Sequence, residues 1–364
     1  MVPEYFKAGS LCCIRNSTLN GAVLPSNFDF FRFSFHTPVM FATSAAPARE
    51  LSSKRERAKR FANLIAKLDA VPAGRYTIRC MWKCSWILIF TGIAPAQTLP
   101  VKWEELTAGD FVKGIQQSRG TCVLPFGILE KHGPHLPLGN DLINARYSAV
   151  HGAEQEYAVV FPEYYFGQIF EAKHQPGTIA YSPKLQLELL QETTDEMARN
   201  GCKKILIVNG HGGNNSLLPY FAQSQLASPK DYVVYVFSHG PYPPGRPAMK
   251  SKVDAHAGES ETAHTMASRP DLVHMDRAAS QSGADLNRLD LPQGVYTGIW
   301  WYAKFPNHYA GEGAVATKEL GEFDMKASVA NVANAIRAIK ADQVSPRLQQ
   351  EFFNGAKQPL ETKQ

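Results

Sequence analysis

The chain of 364 residues is long enough for one large domain with an appendage or for two domains. Its hydrophobic content of 44% and charged content of 20% are ordinary for a globular protein and exclude an intrinsically disordered chain. The net charge of +5 arises before residue 97, since residues 97–364 carry 25 basic and 28 acidic side chains. This slightly acidic main part argues against a nucleic-acid partner.

Residues 81–96 have the layout of a secretory signal peptide, although they lie well inside the chain. A short basic start from Met81 to Lys83 precedes a mostly apolar run that ends at Ile93, and Ala-Pro-Ala follows. This run is shorter than the ~20 apolar residues that a bilayer-spanning helix needs. We therefore expect no membrane insertion of the mature chain.

Two interpretations of residues 1–80 are open. If translation starts at Met81, residues 1–80 are a non-native extension, and the mature protein is secreted or periplasmic. An aromatic run and a basic run that share no periodicity favour this interpretation. The alternative is a genuine or disordered extension on a cytoplasmic protein, with one amphipathic helix near residues 53–68 and a composition that resembles a transit peptide.

From residue 121 onward, short apolar runs alternate with helical segments, as in an α/β domain with a largely parallel sheet. Strands are predicted over 121–127, 157–161, 204–209 and 232–237. A helix over 183–199 is indicated by Ser182, a good N-cap, and by Pro183 in the first turn. A second, Ala-rich helix is expected over 325–341.

Of the six cysteines, only Cys122 and Cys202 lie beyond residue 97. Each stands at the start of an apolar run, and the two lack the paired spacing of a zinc ribbon. Two isolated cysteines also do not make a disulfide framework. We therefore predict that both are small buried hydrophobic side chains.

The first cluster of chemically active side chains follows the first predicted strand. Glu130 and His132 are two residues apart, which directs both side chains to one side of an extended segment. Asp141 lies beyond a loop rich in Gly and Pro that also contains His135 and is able to fold back. Ligands collect at the carboxyl ends of parallel strands, and this set of carboxylates and imidazoles suits zinc, manganese or iron. Each residue alone would more often be merely solvated.

Two further clusters follow along the chain. His211 stands in a Gly-rich turn after the third predicted strand, where it is either a ligand or incidental to a tight turn. The turn has no G-x-G-x-x-G register, so a phosphate-binding loop is a weak interpretation. His256, Glu259 and Glu261 open a predicted helix and offer a base and one or two ligands. Neither H-E-x-x-H nor G-x-S-x-G is present, which argues against a zincin protease and a serine nucleophile.

Together, the three clusters resemble the motifs of the creatininase family. The pattern Glu-x-His-Gly-Pro-His-Leu-Pro-Leu-Gly-x-Asp is matched by residues 130–141, Asn-Gly-His-Gly-Gly-Asn by 209–214, and His-Ala-Gly-Glu-x-Glu-Thr by 256–262. The resemblance implies a three-layer α/β/α sandwich with a mostly parallel sheet and a homohexameric assembly. On this basis we expect a metallohydrolase domain over 97–345 and a C-terminal tail over 346–364.

The resemblance also implies two divalent metal ions per subunit, zinc, manganese or iron. Glu130 and His211 would bind one ion, His132 and Glu261 the other, and Asp141 would bridge the two. A hydroxide held between the ions would attack a small-molecule amide or cyclic amide and break its C–N bond.

Carried over in the same way, two residues of the third cluster would assist the reaction. His256 would shuttle a proton to the departing nitrogen, as suits an imidazole that titrates near neutral pH. Glu259 would be its neighbour or an alternative ligand.

Two departures from the family pattern bear on the substrate. Creatinine-hydrolysing members carry Glu in a His-Tyr-Glu sequence where this chain has Gly213, and many members read Glu-His-x-x-Phe-Pro-Gly-Thr where residues 171–178 differ. A deformylase or peptidase on the same scaffold is therefore an alternative function, and a binding module with a dead site is a second one. The aromatic residues 300–302 could form a pocket wall, a core or a subunit interface.

Overall fold

The structure is a computed structural model that describes residues 99–361. The predicted signal segment at 81–96 and the segment 1–80 lie outside the described residues. Among the described helices, none combines the length and the apolar character that crossing a membrane requires.

A four-stranded parallel sheet forms the centre of the fold. Its strands are β1 (Thr121–Phe126), β2 (Val159–Val160), β3 (Lys204–Asn209) and β4 (Val233–Phe237), in the order β2-β1-β3-β4. Every residue of β1 and β3 is buried, because helices cover both faces of the two central strands. The prediction of a mostly parallel sheet is confirmed, although the strand predicted over 157–161 is only two residues long.

Helices and short 3-10 turns make up most of the remaining structure. The α-helices are α1 (Ala108–Gln117), α2 (Asn140–Gln155), α3 (Pro183–Arg199), α4 (Asn214–Ser224), α5 (Glu259–Ser268), α6 (Trp300–Lys304), α7 (Lys318–Ala341) and α8 (Val344–Ala356). The 3-10 turns are Trp103–Glu105, Phe170–Ala172, Gln225–Ala227, Pro270–Leu272, Met275–Ser280, Gly313–Val315 and Pro359–Glu361. Strands β5 (Asp254–His256) and β6 (Ala310–Gly311) form a small antiparallel pair.

Two apolar clusters lie on opposite faces of the sheet, because successive side chains of a strand point to opposite sides. On one face, Leu124 and Ile207 belong to the cluster that holds side chains of α3 and α4. On the other face, Val123 and Leu206 belong to the cluster that holds side chains of α2 and α7. The result is the expected α/β/α sandwich.

The ends of three helices show to what extent capping residues determine where a helix begins. Helix α3 spans the predicted 183–199, and the Ser182 hydroxyl accepts a hydrogen bond from the amide of Leu185 at 3.4 Å. Helix α7 begins at Lys318, earlier than the predicted 325, because Thr317 caps its first turn. The segment predicted as a C-terminal tail contains most of helix α8.

The prediction for the two cysteines of the main domain is wrong in one respect. Both side chains are fully buried, as expected, but Cys122 and Cys202 form a disulfide with their Cα atoms 5.6 Å apart. Cys122 lies in β1 and Cys202 just before the neighbouring strand β3. Because 80 residues separate them in sequence, only the pairing of these two strands brings the thiols together.

Candidate metal centre

Two glycines allow the first turn of α2 to lie against the carboxyl ends of β1 and β3. A Cβ atom on Gly127 would lie 2.4 Å from the backbone of Leu142, and one on Gly210 would lie 2.5 Å from the carbonyl oxygen of Asp141. No larger residue fits at either position without moving the backbone. The close approach places the Asp141 carboxylate at the ends of both strands.

The loop between β1 and α2 folds back on itself and buries its acidic and imidazole side chains. The amide of Glu130 donates to the carbonyl of Leu138 at 3.0 Å, and His132 forms an isolated bridge with Leu136. Glu130 and His132 have no exposed surface, and Asp141 is 3% exposed. A buried set of charged groups is retained only if partners compensate the charges.

The predicted ligands converge on Asp141. The Nε2 atom of His132 lies 2.8 Å from one carboxylate oxygen of Asp141, and the Nδ1 atom of His211 lies 2.9 Å from the other. The same Nδ1 atom lies 3.0 Å from Glu130 Oε1. Glu261 is more distant, with its Oε2 atom 3.9 Å from His132 Nε2. The structure therefore brings the five predicted ligands into one cluster, with Glu261 at its edge.

Backbone carbonyls fix which nitrogen of each imidazole faces the carboxylates. His132 Nδ1 donates to the carbonyl of Glu130 at 3.3 Å, and His211 Nε2 donates to the carbonyl of Gln168 at 2.9 Å. The opposite nitrogen of each ring points to Asp141. Metal-binding histidines in proteins are held by the same kind of contact from the outer ring nitrogen.

Two buried oxygen atoms show that the site fits a metal ion. Glu130 Oε1 and Asp141 Oδ2 make no hydrogen bond, although both are shielded from solvent. Glu130, His132 and Asp141 offer ligand atoms within 4.8 Å of one another, as do His132, His256 and Glu261. Buried oxygens without partners are rare, and a cation would satisfy both of them.

The pKa shifts of the clustered side chains also indicate that the site suits a cation. Burial opposes ionisation of Glu130, but the imidazoles of His256 and His211 lower the pKa of its carboxyl well below the usual range. Burial also disfavours a charge on His132, but the carboxylates of Asp141 and Glu130 raise the pKa of this imidazole to about 10. Protons on imidazoles thus balance the buried carboxylates, and a divalent cation would take the place of such protons.

His256 contacts the edge of the cluster from strand β5. Its Nε2 atom donates to the carbonyl of Lys131 at 2.8 Å, so Nδ1 is the free nitrogen, and it lies 3.8 Å from Glu261 Oε2. Burial lowers the pKa of this imidazole, which favours its neutral form. A neutral imidazole with a free nitrogen beside a ligand is able to take up a proton.

Glu259 is not brought to the cluster. Its Oε2 atom accepts hydrogen bonds from the amides of Lys250 and Ser251 at 2.8 and 2.6 Å. These contacts favour a role in holding the segment before β5, and they do not favour a metal ligand. His135 is also turned away, because its Nε2 atom contacts the Thr262 hydroxyl at 2.7 Å.

One residue of the cluster was missed by sequence reasoning. His308 is 1% exposed, its Nε2 atom contacts Glu130 Oε2, and its backbone has a φ of 53°. His308 stands outside the three motifs. Its burial, its contact with Glu130 and its positive φ cannot be read from the sequence.

Comparisons with known proteins agree with this geometry. The creatininase family model, described as creatinine amidohydrolase, matches residues 104–336. A creatinine amidohydrolase of Pseudomonas putida is 26% identical over 259 residues, which are 64% of this chain and 95% of the relative. A mycofactocin precursor peptide peptidase of Mycolicibacterium smegmatis is 32% identical over 175 residues, which are 46% of this chain and 65% of the relative.

Solved structures share the fold. A creatinine amidohydrolase structure superposes with a TM-score of 0.56 at 23% identity and covers 68% of this chain and 100% of its own. A creatininase variant of the Zn-Zn type gives 0.55 at 24% identity, with coverage of 67% and 100%, and a creatininase with Mn gives 0.54 at 24%, with coverage of 66% and 99%. With the family model matching most of the chain, this protein belongs to the creatininase family of amidohydrolases.

Proposed function

We propose that this chain hydrolyses an amide or cyclic amide C–N bond with two divalent metal ions held around Asp141. The observation that carries the proposal is the pair of buried oxygens without hydrogen bonds, Glu130 Oε1 and Asp141 Oδ2, which lie 3.0 and 2.9 Å from His211 Nδ1. The relatives whose structures carry Zn-Zn or Mn support a choice of zinc or manganese. All five proposed ligands are present and close together, which argues against a dead binding module.

Each proposed ligand has a defined place in this arrangement. Asp141 would help to hold both ions, because His132 and His211 approach its opposite carboxylate oxygens. His211 would share one ion with Glu130, and His132 would share the other with Glu261. Ions bound there would supply an activated water molecule as the nucleophile and polarise the amide carbonyl.

His256 would move the proton that amide cleavage requires. The Lys131 carbonyl fixes the hydrogen on Nε2, so Nδ1 is the atom that accepts the proton released from water. The same atom would then donate it to the departing nitrogen, which leaves as a neutral amine. Burial lowers the pKa of the imidazole and so favours the neutral form that is able to accept a proton.

A peptidase or deformylase function on the same scaffold is the second candidate. The similarity to a mycofactocin precursor peptide peptidase supports it. Gly213 also supports it, because creatinine-hydrolysing members carry a Glu at that position. Hydrolysis assays that compare creatinine, formylated amines and short peptides separate the two candidates.

The proposal is tested by the metal content of the purified chain after reconstitution with zinc or manganese. We expect about two equivalents in the wild type and a loss of both in Asp141→Ala, because one carboxylate contacts both halves of the site. Asp231→Ala is the control, since Asp231 is an exposed carboxylate that pairs with Lys203. A wild type that binds no metal would overturn the mechanism and favour the binding module.

We also propose that the mature protein works in an oxidising compartment outside the cytoplasm. The buried disulfide between Cys122 and Cys202 supports this, because structural disulfides persist mainly in exported proteins. The signal-like composition of residues 81–96 points the same way.

A further inference from the structure

A cavity of about 970 Å³ lies next to the candidate metal centre. Its walls come from three parts of the chain: residues 168–174, the turn with Gly212 and Gly213, and the segment 296–302. Ligand-binding cavities in proteins span about 300–1,000 Å³, so this space suits a molecule much larger than a small ring amide.

The cavity borders the outer side of His211, whose other ring nitrogen faces Asp141. A Cβ atom on Gly213, which lines the cavity, would lie only 2.4 Å from His211 Nε2. Gln168, another lining residue, holds the same nitrogen through its carbonyl at 2.9 Å. A group bound in the cavity would therefore lie within a few ångströms of the imidazole of His211.

The segment 296–302 connects the cavity to the other side of the centre. The Trp301 ring lies edge-on to His256 and His308, with centroid distances of 5.9 and 5.7 Å. Trp300 meets Trp301 edge-on at 5.3 Å and itself lines the cavity. One pair of adjacent tryptophans thus forms the partition between the imidazoles and the cavity.

Several apolar and aromatic side chains of the lining are exposed, beside polar ones that include Glu171 and Lys173. Phe170 is 41% exposed, Ile299 is 55% exposed and Tyr296 is 77% exposed. Tyr302 is 40% exposed and lines the same wall. Covering such surface releases free energy in proportion to the apolar area removed from water, so the cavity favours an apolar guest.

We propose that the cavity binds an aromatic or other bulky apolar group attached to the amide that the metal centre hydrolyses. The inference rests on the proposed function and narrows its substrate class from small cyclic amides to amides with a large apolar substituent. Aromatic faces and edges of Trp300, Tyr302 and Tyr296 would contact this group.

The test measures binding separately from hydrolysis. Two neutral probes, N-acetyl-phenylalaninamide and N-acetyl-glycinamide, are titrated calorimetrically into the metal-loaded full chain, and hydrolysis of each is followed by chromatography. We expect the aromatic probe to bind at least ~10-fold more tightly, because it buries a benzyl group that the other probe lacks.

Substitutions of two lining residues test whether the preference for the aromatic probe arises in the cavity. Trp300→Ala and Tyr296→Ala should reduce the ratio of the two affinities several-fold, and Tyr296 is so exposed that its replacement leaves the fold intact. Tyr220→Ala is the control, because Tyr220 is 62% exposed and does not line the cavity.

Each outcome decides one question. Equal binding of the two probes, or a preference that survives both variants, would overturn the inference. A change of oligomeric mass in Trp300→Ala with an unchanged affinity ratio would also overturn it and assign the aromatic wall to a subunit interface. Tight binding of the aromatic probe without hydrolysis of either probe would support the cavity assignment and count against the proposed function.

Discussion

His308 joins Trp301 to Glu130 through a single imidazole ring. The indole nitrogen of Trp301 donates to His308 Nδ1 at 2.8 Å, and an indole N–H is a donor only. The hydrogen of His308 is therefore on Nε2, from which it is donated to Glu130 Oε2. One carboxylate oxygen of Glu130 is held by this bond, which leaves Oε1 to face His211. Trp301, which belongs to the pair of tryptophans beside the cavity, thus orients the proposed ligand Glu130 through His308.

We predict that His308→Ala lowers metal affinity by about 10-fold or more, because outer-shell partners of metal ligands typically contribute that much. Competition with a chromophoric chelator measures the affinity. Trp301→Phe should cause a smaller loss, since the ring is kept while the donor that fixes the imidazole is removed. His151→Ala, whose side chain is 43% exposed, serves as the control. Unchanged affinity in His308→Ala would show that the residue only fills space.

Local signals and strand topology explain why most of the site could be predicted from sequence. Glu130 and His211 follow buried strands, and the carboxyl ends of neighbouring parallel strands meet at one edge of the sheet. The cap at Ser182 likewise determines where α3 begins. Each of these features is determined by a short stretch of sequence and does not depend on contacts with distant residues.

Features that depend on distant contacts could not be predicted. His308 meets Glu130 across 178 residues, and no motif surrounds it. The disulfide needs β1 and β3 to be adjacent, which spacing alone does not determine. Glu259 stands in the same motif as Glu261, yet its carboxylate accepts hydrogen bonds from the amides before β5, whereas the Glu261 carboxylate lies 3.9 Å from His132 Nε2 and accepts one from the amide of Ala257.

Gly213 provides a test of the half of the site that contains His211. A Cβ atom there would lie 2.4 Å from His211 Nε2, whereas a Cβ atom on Gly212 meets nothing within 4 Å. We predict that Gly213→Ala displaces the His211 ring and lowers the metal content from about two equivalents toward one. Gly212→Ala should keep the wild-type content and is a matched control one residue away. Equal metal contents in the two variants would contradict the role of His211.

The disulfide should contribute measurably to stability. We predict that Cys122→Ser lowers the free energy of unfolding by about 2–5 kcal/mol, because the cross-link restricts the unfolded chain and its two sulfurs are buried in the core. Urea unfolding with and without a reductant measures the loss. The reductant should destabilise the wild type but not the variant. Intact-mass analysis of the exported protein should also show the oxidised form; free thiols there would contradict the proposed compartment.

The lowered pKa of His135 predicts that the folded chain becomes less stable as the pH falls. Burial, with a smaller contribution from the charge of His132, lowers the pKa of its imidazole from the ordinary 6.5 to about 4. Between these pH values the unfolded chain binds a proton that the folded chain lacks, so this contribution is complete above pH 6.5 and is lost as the pH falls toward 4. The loss is on the order of 3 kcal/mol at most.

The measurement is urea unfolding in EDTA, so that metal binding does not contribute, at pH 7.5 and pH 4.5. His135→Gln keeps a polar group opposite the Thr262 hydroxyl but does not titrate, so the variant should lose less stability than the wild type on acidification. His151→Gln controls for the exchange itself, because the His151 side chain is 43% exposed and contacts Glu154, away from the pair of His135 and Thr262. If His135→Gln and the wild type lose stability equally, the imidazole of His135 takes up its proton without unfolding, and burial does not hold it neutral.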